Sequence, residues 1–117
     1  GPSIPNTVRN IVQEAIATFV LVFAICGLSQ VPELNDGVGK LLVFGIIVSI
    51  GMSLGGLTGY ALNPARDLGP RIAHAILPIK GKGSSNFKYG LIVPIFGPII
   101  GGLLAVLLYN VIPWAAA

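Results

Sequence analysis

Between Leu41 and Ala65 the chain carries no charged residue, and the run closes on Asn63-Pro64-Ala65-Arg66-Asp67. A stretch that apolar is fit for lipid. An ionisable side chain at membrane depth is costly, so it normally faces a water-filled cavity or a partner. Asn followed by Pro reads as a helix start, with Asn as N-cap and Pro in the first turn. A helix that begins inside the bilayer aims the positive end of its dipole at whatever fills that depth. The pattern points to a pore.

Composition agrees with a membrane protein. The 117 residues are 54% hydrophobic and 9% charged, against about 25% charged in soluble domains. Seven basic and four acidic residues leave a net charge of +3, too sparse for a nucleic-acid surface, so no nucleic-acid partner is expected. The single cysteine, Cys26, sits in an apolar run and reads as a small core residue. Nothing calls for a metal or cofactor. The N-terminus lacks the basic start and cleavable site of a secretory signal. Gly1-Pro2-Ser3 reads equally as natural loop sequence or as a scar of protease processing.

Three segments are long enough to cross a hydrocarbon core of about 30 Å, which takes about 20 helical residues. The expected spans are 8–28, 38–57 and 89–112. Asn6 or Thr7 caps the first, and Pro32, Asn35 and Gly37 mark the turn-forming loop 29–40. The second is rich in small residues from Gly45 to Gly56, which permit close backbone approach. In the third, Pro94 and Pro98 predict bends. Gly97, Gly101 and Gly102 predict close packing, and Tyr109 and Trp114 an interfacial belt. Between the second and third spans, the glycine-rich run 55–60 leads into a short helix over 64–76, ended by Pro78. It is too short to cross a membrane and reads as a re-entrant half-helix. The expected fold is all-α, with three membrane helices and one half-helix.

The half-helix carries the chemistry. Asn63 as N-cap accepts a backbone N–H through its side-chain oxygen, which fixes the amide and leaves its NH₂ as a donor. Arg66, three residues on, falls on the same face. Its permanently charged guanidinium holds hydroxyls and repels cations. Asp67 turns away and pairs with Arg71 at i+4. Arg66 and Asp67 also fit an ordinary helix start at the interface. If 59–62 is extended, its carbonyls need partners, and a file of water or polyols serves on the open side. Glu14 has two readings: a buried carboxylate that holds the N–H groups of this loop, or an interfacial side chain that snorkels to water.

The run Gly59-Tyr60-Ala61-Leu62-Asn63-Pro64-Ala65-Arg66-Asp67-Leu68-Gly69-Pro70-Arg71, with Glu14-x-x-x-Thr18-Phe19 before it and Phe96-Gly97-Pro98 after it, resembles the second half of an aquaporin-family channel, specifically the glycerol facilitator branch. The resemblance covers about Val8 to Trp114. It implies that Asn63 donates to solute at mid-channel and that Arg66 is the arginine of the selectivity filter. It implies that the carbonyls of Gly59, Tyr60, Ala61 and Leu62 form an acceptor track. Glu14, Pro64, Ala65 and Asp67 would support the loop. Gly51 stands where water-specific members carry histidine, and Asp67 follows the Asn-Pro-Ala-Arg run as in glycerol conductors. Pro94-Ile95 stands where water-specific members tend to have two aromatics. Tyr60 would supply an aromatic wall of the filter, with Ile47 and, more weakly, Leu21 as further pore wall.

The family has six membrane helices and two half-helices in two inverted repeats, and this sequence matches one repeat. A cleaved fragment, an engineered half and a chain with a separate companion remain open. The implied function is passive diffusion of glycerol, other small uncharged solutes and water. The implied partners are the missing half with its own Asn-Pro-Ala, the other protomers of a homotetramer and the lipid bilayer of the plasma membrane. A pore-less assembly or scaffold subunit and a water-selective channel are the alternatives. An enzyme is not expected, because His74 has no Ser, Cys or paired acid at a useful spacing. Lys80, Lys82 and Lys88 with Arg71 would set the half-helix side in the cytoplasm by the positive-inside rule. The resemblance implies the outside, and it is preferred because the first helix of the family usually sets orientation.

Overall fold

The computed structural model describes residues 1–114. The described residues are all-helical in their regular structure: α1 (Thr7–Leu28), α2 (Asp36–Leu54), α3 (Pro64–Ile76), α4 (Phe87–Gly90) and α5 (Val93–Val111). Among them, α1, α2 and the stretch Phe87–Val111 are long and apolar enough to cross a membrane.

Each boundary has a local cause. The side chain of Asn6 accepts from Arg9 N at the start of α1. At α2 the cap is Asn35, whose side-chain oxygen accepts from Gly37 N at 2.8 Å, so the helix begins at Asp36, before the expected 38. Asp36 suits the positive helix end and also pairs with Lys40 at 3.1 Å. The same helix stops at Leu54, three residues short of the expected 57. Gly55 and Gly56 carry a high backbone entropy cost in a helix, and the Tyr60 ring occupies the space beside Gly55. Where α3 gives way to the polar loop 77–86, Leu77 is extended, as expected of a residue before proline.

The third span differs most. Instead of one helix over 89–112, a single turn at Phe87–Gly90 is followed by Leu91 and Ile92, and α5 starts at Val93. Pro94 is therefore no bend. It lies in the first turn of α5, where its missing N–H costs nothing. Pro98 alone stands inside the helix.

The tightest packing is between α1 and α5. A Cβ at Gly97 would sit 2.6 Å from Glu14 Cβ, and one at Gly101 would sit 2.2 Å from the Ala15 carbonyl oxygen. Glycines four apart thus let the backbones meet. Gly102 lies at the edge of this seam, where a Cβ would make only an ordinary contact with Val22 Cγ2 at 3.9 Å. On α2 Gly45 has nothing within 4 Å, and neither has Gly56 beyond its end, while Ser49 and Ser53 bond back to the carbonyls of Gly45 and Ser49. In the isolated chain Ile50 is the one buried residue of α2, and α3 has none. Cys26 is half-buried on α1 rather than in the core. At the far end, Trp114 Nε1 donates to the Tyr109 carbonyl at 2.7 Å, and the two rings lie 5.0 Å apart.

The α1–α5 seam makes a clean test. Gly101→Ala is expected to cost about 1–3 kcal/mol or more, as overpacking does, and Gly102→Ala is expected to be neutral. Thermal unfolding in detergent micelles should show a lowered Tm for the first variant alone.

Candidate functional site

The site is assembled around Glu14, which is fully buried on α1. Its Oε1 accepts from Ala61 N at 3.0 Å and from the Thr58 hydroxyl, and its Oε2 accepts from Leu62 N at 2.8 Å. Every partner is a donor, so the carboxylate serves only as an acceptor. This excludes the snorkelling alternative. Two buried N–H groups of the irregular loop find their partner here, where each would cost about 1–3 kcal/mol if left alone.

Those bonds hold a strained path. Gly59, Tyr60 and Leu62 have φ of +69°, +41° and +59°. For Tyr60 and Leu62 this left-handed conformation costs of order 1–3 kcal/mol each and persists only where the surroundings over-determine it. With amides turned inward to Glu14, carbonyls turn outward. Those of Tyr60 and Ala61 accept from Arg66 Nη1 at 3.2 and 3.3 Å. Two of the four carbonyls expected to face solute are thus engaged by the arginine, each with a second lone pair left over. The carbonyls of Gly59 and Leu62 have no protein donor among the described residues.

Asn63 caps α3. Its side-chain oxygen accepts from Ala65 N at 2.8 Å and Arg66 N at 3.2 Å, which sends the NH₂ away from the helix. Pro64 fills the first turn. Asn63 and Arg66 are both exposed. Arg66 does not reach straight along the helix face but folds back over the loop, its Cζ lying 5.2 Å from the Tyr60 ring centroid.

Tyr60 in turn rests on α2. A Cβ at Gly51 would come 3.0 Å from Tyr60 Cζ, and one at Gly55 would come 2.8 Å from Cδ1. The space that Gly51 leaves is taken by the aromatic ring. Ile47 is exposed one turn earlier on α2. Leu21 instead packs half-buried against Ala17, Ile50 and Leu62.

The polar side of α3 is better tied than its sequence indicates. Arg71 makes a two-pronged pair with Asp67, at 2.9 Å from Nε and 2.8 Å from Nη2, with side chains only 11% and 15% exposed. Its Nη1 also donates to the carbonyls of Ser85 and Asn86 at 2.7 and 3.2 Å. Lys82 Nζ closes the end of α3 by donating to the carbonyls of His74, Ala75 and Leu77. The loop also brings Ser85 Oγ to 2.7 Å from His74 Nδ1, a contact that a spacing of 11 residues did not reveal. An open depression of about 470 Å³ lies beside Arg66, walled by Pro70, Arg71, His74 and Ser85. Among the described residues no cluster of metal ligands occurs.

A buried carboxylate, an irregular loop, an Asn-Pro-capped short helix and an arginine form one unit. The family model of the major intrinsic proteins matches residues 2–109. The chain belongs to the major intrinsic protein family. Members of this family are membrane channels, not enzymes. Over 94% of its length the chain is 57% identical to the glycerol uptake facilitator protein of Bacillus subtilis, covering 39% of that protein. It is 51% identical over 97% of its length to glycerol uptake facilitator protein 3 of Lactiplantibacillus plantarum, covering 46% of that relative. A probable glycerol uptake facilitator of Thermotoga maritima is 53% identical over 94% of the chain and 46% of its own length. The chain thus spans less than half the length of these curated relatives. No solved structure matches it significantly.

Thr58 and Lys82 are the site residues that sequence reading did not single out for these roles, and for Arg71 it gave the pair with Asp67 but not the bonds to Ser85 and Asn86. The signal available for Thr58 was a hydroxyl within four residues of a loop that needed donors sorted. For Lys82 it was the pair of cations, Lys80 and Lys82, shortly past a helix end. Replacing Arg71 with Lys removes the fork that binds carboxylate and loop carbonyls together. Arg71→Lys is expected to speed tryptic nicking after Lys80 and Lys82 severalfold in micelles, with cleavage after Lys40 unchanged as the internal reference.

Proposed function

We propose that this chain, joined to a second segment bearing its own Asn-Pro-Ala, forms a channel for passive diffusion of glycerol, other small uncharged solutes and water across the plasma membrane. The observation that carries the reading is Arg66, an exposed guanidinium braced by two carbonyls beside the Tyr60 ring, one helical turn from the Asn63 amide. A polyol has hydroxyls along one edge and carbon along the other. Arg66 and Asn63 offer donors, the loop carbonyls offer acceptors, and Tyr60 offers an apolar wall. Such a site replaces the solute's hydration with fixed partners, so no energy source is required. The fixed positive charge opposes cations.

The half seen here has its donors on an open side and most of α2 and α3 unburied. That supports completion of the lumen by the missing half, with Ile47 among the wall residues, and assembly of whole channels as homotetramers. The names of the similar proteins support glycerol as the solute.

The test is flux into proteoliposomes holding the chain with its complementing half. Under a glycerol gradient, swelling well above that of empty vesicles is expected, and equality with empty vesicles would refute the reading. Gly51→His places atoms where the Tyr60 ring now lies, 3.0 Å from its Cζ even at Cβ. The ring must then move, and glycerol flux is expected to fall most of the way to the background while water flux falls less.

A further inference from the structure

We propose that Thr58 is a positioning residue for the selectivity filter, acting through Glu14. Thr58 is 7% exposed, and its hydroxyl donates to Glu14 Oε1. The same oxygen takes Ala61 N at 3.0 Å, and Oε2 takes Leu62 N at 2.8 Å. The segment from Thr58 to Leu62 is therefore an arch with both feet on one carboxylate: a side-chain hydroxyl at one foot and two backbone amides at the other. Between the feet lie Gly59 and Tyr60, both left-handed, a path that the chain does not keep without outside bonds.

The two amides alone fix the carboxylate from one side only. A long glutamate side chain has rotamer freedom to pivot about that contact. Thr58 supplies the third point and stops the pivot. With the carboxylate fixed, the span of the arch is fixed, and so is the outward aim of the Tyr60 and Ala61 carbonyls. Those carbonyls hold Arg66 Nη1 at 3.2 and 3.3 Å. Thr58 touches no solute; it decides where the guanidinium sits. The consequence for permeation rests on the channel reading above, whereas the consequence for the arch does not.

Two measurements separate the claims. In lipid nanodiscs, hydrogen exchange at the Ala61 and Leu62 amides is compared in the wild type, Thr58→Val and Thr58→Ser. Valine keeps the shape and removes the donor, and serine keeps the donor. Thr58→Val is expected to speed exchange at both amides by roughly tenfold, the scale of one lost hydrogen bond to a charged group. Exchange across α5 should stay unchanged, and Thr58→Ser should match the wild type. Unchanged exchange in Thr58→Val, or serine as fast as valine, overturns the assignment. In proteoliposomes with the complementing half, Thr58→Val is expected to shift the ratio of glycerol to water permeability severalfold at equal protein content, with serine restoring it. A wild type that passes no glycerol yet shows the exchange pattern rejects the channel reading and upholds the role of Thr58 in the arch. A conducting wild type whose permeability ratio is untouched by valine overturns the link to the filter.

Discussion

The carboxylate of Glu14 is buried where water does not reach, and it meets that cost by accepting bonds from the loop between α2 and α3. A buried charge without partners would be expensive, and a buried irregular loop with unpaired amides would be too. Each problem solves the other. The left-handed residues, the outward carbonyls and the position of Arg66 all follow from that exchange of bonds.

The carboxylate must first be delivered to the right depth, and the α1–α5 seam does this. Gly97 lies directly against Glu14 Cβ, and Gly101 against the Ala15 carbonyl. In lipid there is little hydrophobic drive to bring helices together, so close van der Waals contact carries the association. Two absent side chains on α5 thereby set the place of one charged side chain on α1. The other half of the site is tied by charge. Arg71 joins α3 to the polar loop through Asp67, Ser85 and Asn86, and Lys82 satisfies the last carbonyls of α3.

Much of this was legible in the residue order because its causes are local. Asn63-Pro64 specifies a cap and a first turn, Pro78 ends the half-helix, and uncharged runs of about 20 residues specify spans. The pairing of Asp67 with Arg71 needs only helical spacing. Errors arose where a residue had more than one local meaning. Pro94 fits a bend or a helix start, and only the break at Leu91 and Ile92 makes it a start. That Gly51 seats the Tyr60 ring is a contact that the residue order does not give. Leu21 shares an apolar pattern with any wall residue, and only the fold shows it half-buried against Ala17, Ile50 and Leu62.

The sequence by itself determined the all-α membrane architecture, the position of the half-helix and the residue types available to it, because periodicity, caps and the absence of charge are properties of neighbouring residues. Tertiary structure decided what those residues touch. That Thr58 shares an oxygen of Glu14 with Ala61 and that Ser85 reaches His74 are contacts between segments separated by a loop or by a whole helix. No local pattern encodes them. The contacts of Glu14 exist because glycines on α5 let α1 come close enough for one buried acid to organise the loop facing it.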